Sequence, residues 1–78
     1  MVAATQNSVD RHIGRKLQLA RAMAGLSVDE LARAVDVSGD QVLRWEAGGS
    51  LGASDLFIMA KILNQPLPYF FEGLADRR

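Results

Sequence analysis

Cysteine is absent from the 78 residues, which excludes disulfides and thiolate metal sites. Histidine occurs once, as His12, and a single imidazole does not make a metal centre. It is read as a surface residue, and neither a metal nor a cofactor is expected. Apolar residues make up 49% of the chain, yet no run of them is long enough to span a bilayer. The first eight residues lack the basic and apolar pattern of a signal peptide, so a cytoplasmic protein without membrane attachment is expected. An excess of either charge is also missing, because nine basic residues balance nine acidic ones. Nucleic-acid-binding domains ordinarily carry a basic excess that neutralises phosphates. A neutral balance weighs against such a partner without excluding one, since the distribution of charge matters more than its sum.

The apolar fraction argues against disorder, and a chain of this length makes one domain with a small core. Two helix starts of one design stand eleven residues apart. Ser27 precedes Val28-Asp29-Glu30, and Ser38 precedes Gly39-Asp40-Gln41. Each serine can accept the backbone N–H three residues on, and Glu30 or Gln41 can reach back to the serine's own N–H, which is a capping box. Leu26 with Leu31, and Val37 with Val42, add a hydrophobic staple to each. These pairs predict a short helix, a tight turn at Asp36-Val37-Ser38 and a second helix from about Gly39 to Ala47, stopped by Gly48.

Around this centre the chain reads as helices throughout, with no strand pattern. A disordered arm is expected over 1–8, a folded domain over 9–73 and a charged tail over 74–78. Ser8 or Asp10 can cap a first helix running to about Ala24, with Ile13, Leu17, Ala20 and Ala24 inward at helical spacing. Arg11, Arg15 and Lys16 are either a solvated face or phosphate contacts. Leu19 and Met23 are a second apolar pair, read as a wider core stripe with a partner surface as the alternative. The helix over about Val28 to Val35 turns Leu31, Ala32 and Val35 inward. The helix after it buries Val42 and Trp45 and leaves Gly39, Asp40, Leu43, Arg44 and Ala47 outward. Asp40 and Arg44 are four apart in the favourable acid-then-base order and could pair with each other when no DNA is present. A fourth helix over about Ala53 to Asn64 has Ala53, Leu56, Phe57, Ala60 and Leu63 inward, and Gln65-Pro66 ends it. Pro68 opens a short last helix, in which one or both of Phe70 and Phe71 seal the core. Loops this short indicate an all-α, five-helix bundle.

The residues Gly25-Leu26-Ser27, Glu30-Leu31-Ala32, Val37-Ser38 and Trp45-Glu46-Ala47-Gly48, with Ile13-Gly14 and Arg21 upstream and the stretch from Ala60 to Phe71, form a set. That set resembles the helix-turn-helix of phage-repressor-like (Cro-like, XRE) transcription regulators. The resemblance covers most of the chain, with the motif at about 27–47, and implies the lambda-repressor-like DNA-binding fold. It also implies DNA contacts at Ser27 and Val28 and along a recognition helix at Ser38, Gly39, Asp40, Gln41, Leu43 and Arg44. Arg21 and Glu46 match a structural ion pair. Leu67 and Tyr69, extended by Ile58 and Ile62, match a homodimer interface. Some positions depart from the family. Val28 stands where glutamine often holds a phosphate, and Asp36 where glycine often turns left-handed. The loop Gly48-Gly49-Ser50-Leu51-Gly52 lacks the basic residues that relatives often place there.

Two functions fit this sequence. One is a sequence-specific, repressor-type regulator bound to double-stranded DNA as a homodimer. The other is a protein-interaction module on the same fold, antitoxin-like or an accessory subunit, which the neutral charge and the apolar fourth helix favour. An enzyme does not fit, since no nucleophile with its base, metal cluster or phosphate loop is present. The acids Asp29-Glu30 match the preference of a helix dipole for negative charge in the first turn.

Overall fold

The backbone of the computed structural model, described over residues 8–74, runs through α1 (Ser8–Ala24), α2 (Val28–Val35), α3 (Gly39–Glu46) and α4 (Ala53–Ile62). It closes with a 3-10 helix at Leu67–Phe71. The five-helix expectation thus resolves into four α-helices and one short 3-10 helix, with no strand among the described residues.

Each α-helix stops on a residue of positive φ: Gly25 (73°), Asp36 (62°), Gly48 (108°) and Asn64 (57°). The next N–H then bonds the carbonyl five residues back. Leu26 reaches Arg21 at 3.1 Å, Val37 reaches Ala32 at 2.9 Å, Gly49 reaches Arg44 at 2.8 Å and Gln65 reaches Ala60 at 2.9 Å. This 6→1 bond satisfies a carbonyl that the helix end would orphan and turns the chain sharply. Asp36 takes the glycine conformation because its short polar side chain tolerates it. Asn64 does the same, so α4 stops at Ile62, before the Gln65-Pro66 boundary expected of it.

The caps divide. At Ser27 both halves of the box form: the hydroxyl accepts from the Glu30 N–H at 3.0 Å, and the Ser27 N–H donates to the Glu30 carboxylate at 2.8 Å. At Ser38 the hydroxyl accepts from the Gln41 N–H at 3.1 Å, and the Gln41 side chain does not return the bond. Ser8 opens α1 and Asp10 lies in its first turn, so neither stands outside the helix as a cap.

Leu17, Leu31, Val42, Met59 and Phe70 are the largest fully buried side chains, and each of the five elements supplies one. Ile13, Ala20, Ala32, Trp45, Leu56, Ala60 and Leu63 surround them. α1 crosses the end of α3 at Gly14. A Cβ there would overlap the Trp45 carbonyl oxygen and sit 2.9 Å from that of Glu46, so the crossing needs glycine. Gly48 is held to glycine by its φ of 108°, and an added Cβ there would also press the Arg11 side chain, with Cγ at 2.8 Å.

Several expected core residues lie elsewhere. Ala24 and Ala53 are exposed, because they sit in end turns that reach past the packed layer. Leu19 and Met23 are 50% and 64% exposed and do not widen the core. Phe57 is 55% exposed while Met59 takes the buried position. Since α4 is apolar on nearly every side, its sequence did not mark the inner face. Phe70 seals the core and Phe71 is exposed. His12 is half-buried, its Nε2 lying 2.7 Å from the Glu72 carbonyl oxygen. Of the arm and tail, residues 1–7 and 75–78 lie outside the described residues. Ser8 belongs to α1, and the Leu74 N–H donates to the Phe71 carbonyl at 3.1 Å.

Candidate nucleic-acid interface

α3 is held from behind. Val42 and Trp45 are buried on its inner face, leaving Asp40, Leu43, Arg44 and Ala47 exposed on the outer one. Leu43 is 52% exposed. Gly39 and Gln41 are half-buried. An added Cβ on Gly39 would meet Asp29 Oδ1 at 3.0 Å and Val28 Cγ1 at 3.6 Å. The starts of α2 and α3 therefore abut, which brings Ser27, Val28, Ser38 and Gly39 to one end of the surface. The Ser27 and Ser38 hydroxyls accept in the caps and keep their O–H to donate, whereas the Val28 side chain packs against the core and has no donor. Asp40 and Arg44 do not pair: the ion pairs among the described residues are Lys16–Glu72 and Arg21–Glu46. Arg44 accordingly presents an uncommitted guanidinium.

Arg21 ties three segments together. Its Nε donates to Glu46 Oε2 at 2.6 Å, its Nη2 to Glu46 Oε1 at 3.2 Å and its Nη1 to the Leu26 carbonyl at 3.0 Å. The two-pronged bond matches the fork of the guanidinium to the carboxylate. That bond holds the Arg21 pKa above the ordinary arginine value against the opposing effect of burial. It fastens the C-terminal end of α3 to α1 and to the loop that starts α2. At the opposite end, the bond from the Ser27 N–H, reinforced by the Ser27 hydroxyl, lowers the Glu30 pKa. Asp29, Glu30 and Asp40 make that end acidic.

Two further exposed positive charges lie on α1. Arg11, Arg15 and Gln18, spaced four and three residues apart, share a cleft with Ala47. The sequence carried this spacing but not the neighbour. Lys16 faces the other way, 3.8 Å from Glu72 Oε1 and with its Nζ 4.7 Å from the Tyr69 ring centroid.

The expected dimer residues divide too. Ile58 and Leu67 are exposed at 43% and 39%. Ile62 and Tyr69 are half-buried against the core. The Tyr69 ring meets Phe70 edge-on, with centroids 5.2 Å apart. Among the described residues, no group of three or more histidines or carboxylates is placed to hold a metal ion, and no helix is long and apolar enough to cross a membrane.

Two abutting capped helices, the second lying open on a helical scaffold, define a helix-turn-helix domain. The chain belongs to the HTH_3 helix-turn-helix family, which it matches over residues 17–70. It is 36% identical over 67 residues to an uncharacterized HTH-type transcriptional regulator of Sinorhizobium medicae, covering 85% of this chain and 48% of that protein. It thus spans about half the length of that curated relative. Its fold is similar to that of the clp gene regulator ClgR of C. glutamicum, with a TM-score of 0.78 at 22% identity, over 88% of this chain and 96% of that one. The hydroxypropylphosphonic acid epoxidase of S. wedmorenis shares the fold too, with a TM-score of 0.72 at 21% identity, over 78% of this chain but only 33% of the enzyme. A likeness to one third of that enzyme carries the fold and not its chemistry.

Proposed function

We propose that this domain is a sequence-specific DNA-binding transcriptional regulator of repressor type, acting in the cytoplasm as a two-fold homodimer and not as an enzyme. The observation that carries this is the open outer face of α3, where Asp40, Leu43 and Arg44 stand on a helix pinned by Val42 and Trp45. In the major groove an arginine grips guanine O6 and N7 together, an aspartate accepts from cytosine N4, and an apolar side chain meets the thymine methyl. The set can therefore read bases, with Arg44 the strongest reader. Ile58 and Leu67, with the partly buried Ile62 and Tyr69, form the proposed dimer surface. Two-fold pairing would match two half-sites about one helical turn apart.

Titration with duplex DNA at low salt tests the function, and an absence of binding there removes it. Arg44→Ala should cost about 1–3 kcal/mol on a preferred site and relax its base preference. Equal loss on preferred and random duplexes would make Arg44 a phosphate contact instead. The second reading, a protein-interaction module, is favoured by the exposed Phe57, whose ring lies 5.7 Å from Lys61 Nζ on α4.

A further inference from the structure

The recognition face has little positive charge of its own. Its acidic end carries Asp29 and Asp40, Arg44 stands alone on α3, and the loop at 48–52 is uncharged. At the other end a cleft of about 450 Å³ lies between α1 and the end of α3, lined by Ser8, Arg11, His12, Arg15, Gln18, Glu46 and Ala47. Glu46 does not neutralise it, because its carboxylate is held by Arg21. Arg11 and Arg15 are exposed and make no ion pair among the described residues. Arg11 also lies against Gly48, where a larger residue would displace it. The cleft is thus doubly cationic and opens beside Ala47, the last outward residue of α3.

A recognition helix lies in the major groove with its N-terminal residues on the base edges, and the eight residues of α3, at 1.5 Å each, put its far end about 12 Å from the first of them. When Asp40 and Arg44 face the bases, the Ala47 end lies at the groove wall, where the phosphates run.

We propose that Arg11 and Arg15, with Gln18 beside them, form a backbone clamp that holds phosphodiesters of the strand flanking the groove. The clamp supplies the charge that α3 and its loop lack and seats the helix without reading sequence. It rests on the DNA-binding function above, and the two can fail separately.

The test measures affinity by fluorescence anisotropy against salt, for a duplex selected by the protein from a random pool and for a random duplex. Wild type is compared with Arg11→Gln, Arg15→Gln and the double variant. Each phosphate contact contributes about 0.9 to the slope of log affinity against log salt. The double variant should lose about 1.8 of slope per bound chain. Between about 50 and 200 mM salt its affinity should therefore fall about tenfold less than that of wild type. The ratio of selected to random affinity should stay constant, because phosphates are common to both duplexes. Arg11→Lys with Arg15→Lys should restore the slope by keeping the charge. An unchanged slope in a double variant that melts like wild type overturns the clamp and leaves DNA binding standing. A lower melting temperature with an unchanged slope makes the arginines structural and also overturns it. A changed selected-to-random ratio would make them base readers. Saturable binding of inorganic phosphate, lost in the double variant without a change in DNA slope, would assign the cleft to a free anion instead. No binding by wild type at low salt removes the DNA-binding function itself.

Discussion

Replacing Arg21 by methionine removes three hydrogen bonds and leaves a carboxylate with no partner. The Glu46 side chain is only 5% exposed, against 16% for Arg21, so water cannot fully replace the guanidinium. Two unit charges about 4 Å apart attract by about 4 kcal/mol at an effective dielectric constant near 20. The desolvation of both groups returns most of that. The intact pair therefore contributes little net stability, while breaking it is expensive. Arg21→Met should cost about 3–5 kcal/mol, the range for an uncompensated buried charge. Glu46→Leu should cost less, because Arg21 is more exposed and keeps its bond to Leu26. The double variant should recover much of the loss, since no orphaned charge remains. A loss of 3–5 kcal/mol is a large part of the roughly 5–15 kcal/mol that holds a small domain folded, so urea melts should be run in the cold. From those melts the double-mutant cycle gives a coupling energy, expected at about 2–3 kcal/mol. Additive single effects, with coupling below about 0.5 kcal/mol, would refute a mutually dependent pair and reduce it to two separate surface charges.

Gly14→Ala gains about 1 kcal/mol of helix propensity, yet its methyl meets the Trp45 and Glu46 carbonyls. The net result should be destabilisation by about 1–3 kcal/mol, visible as a fall of several degrees in Tm, and a neutral or stabilising outcome would mean that the crossing can widen freely. Glu30 has a folded pKa below its unfolded value of about 4.3. Its contribution is complete above the unfolded value and is lost as pH falls through the folded one. The stability difference between wild type and Glu30→Gln should accordingly be flat above about pH 5 and shrink in acid, as followed by urea melts across pH; a difference that is constant down to pH 3 would deny the charged cap. Ile58→Asp should leave a folded monomer in sedimentation equilibrium with weaker DNA binding, whereas a wild type that stays monomeric at high concentration removes the interface. Tyr69 is the poorer probe, because its ring also supports Phe70 and Lys16.

Features that depend on neighbours along the chain were legible in the sequence. Ser27 with Glu30 marked the start of α2, Ser38 the start of α3, and Gly48 its end. Such caps and stops act within five residues, so the local sequence contains both partners. Val42 and Trp45 followed from helical periodicity on an amphipathic segment. On α4 the same approach failed, since Phe57, Ile58, Met59 and Ile62 are all apolar and periodicity selects no face. Met59 is inside because the helix is rotated by what packs against it. The positive φ at Asn64 has no strong local signal, and Pro66 is the more evident stop two residues on.

The candidate surface separates in the same way. The sequence by itself determined most of what α3 turns outward, since a helix anchored by Val42 and Trp45 must expose Asp40, Leu43, Arg44 and Ala47; Gly39, expected with them, is half-buried against the start of α2. It also determined that Val28 and the loop at 48–52 could offer no charge. Only the tertiary structure decided where the missing charge would come from. Arg11 and Arg15 are more than thirty residues from Ala47 in the chain, and nothing in their own helix says which element they approach. The crossing of α1 over α3, permitted by Gly14 and held by the Arg21–Glu46 pair, brings them together. Contacts between segments depend on the angle and register of packed helices, which are set by the shape of the whole core and not by local pattern.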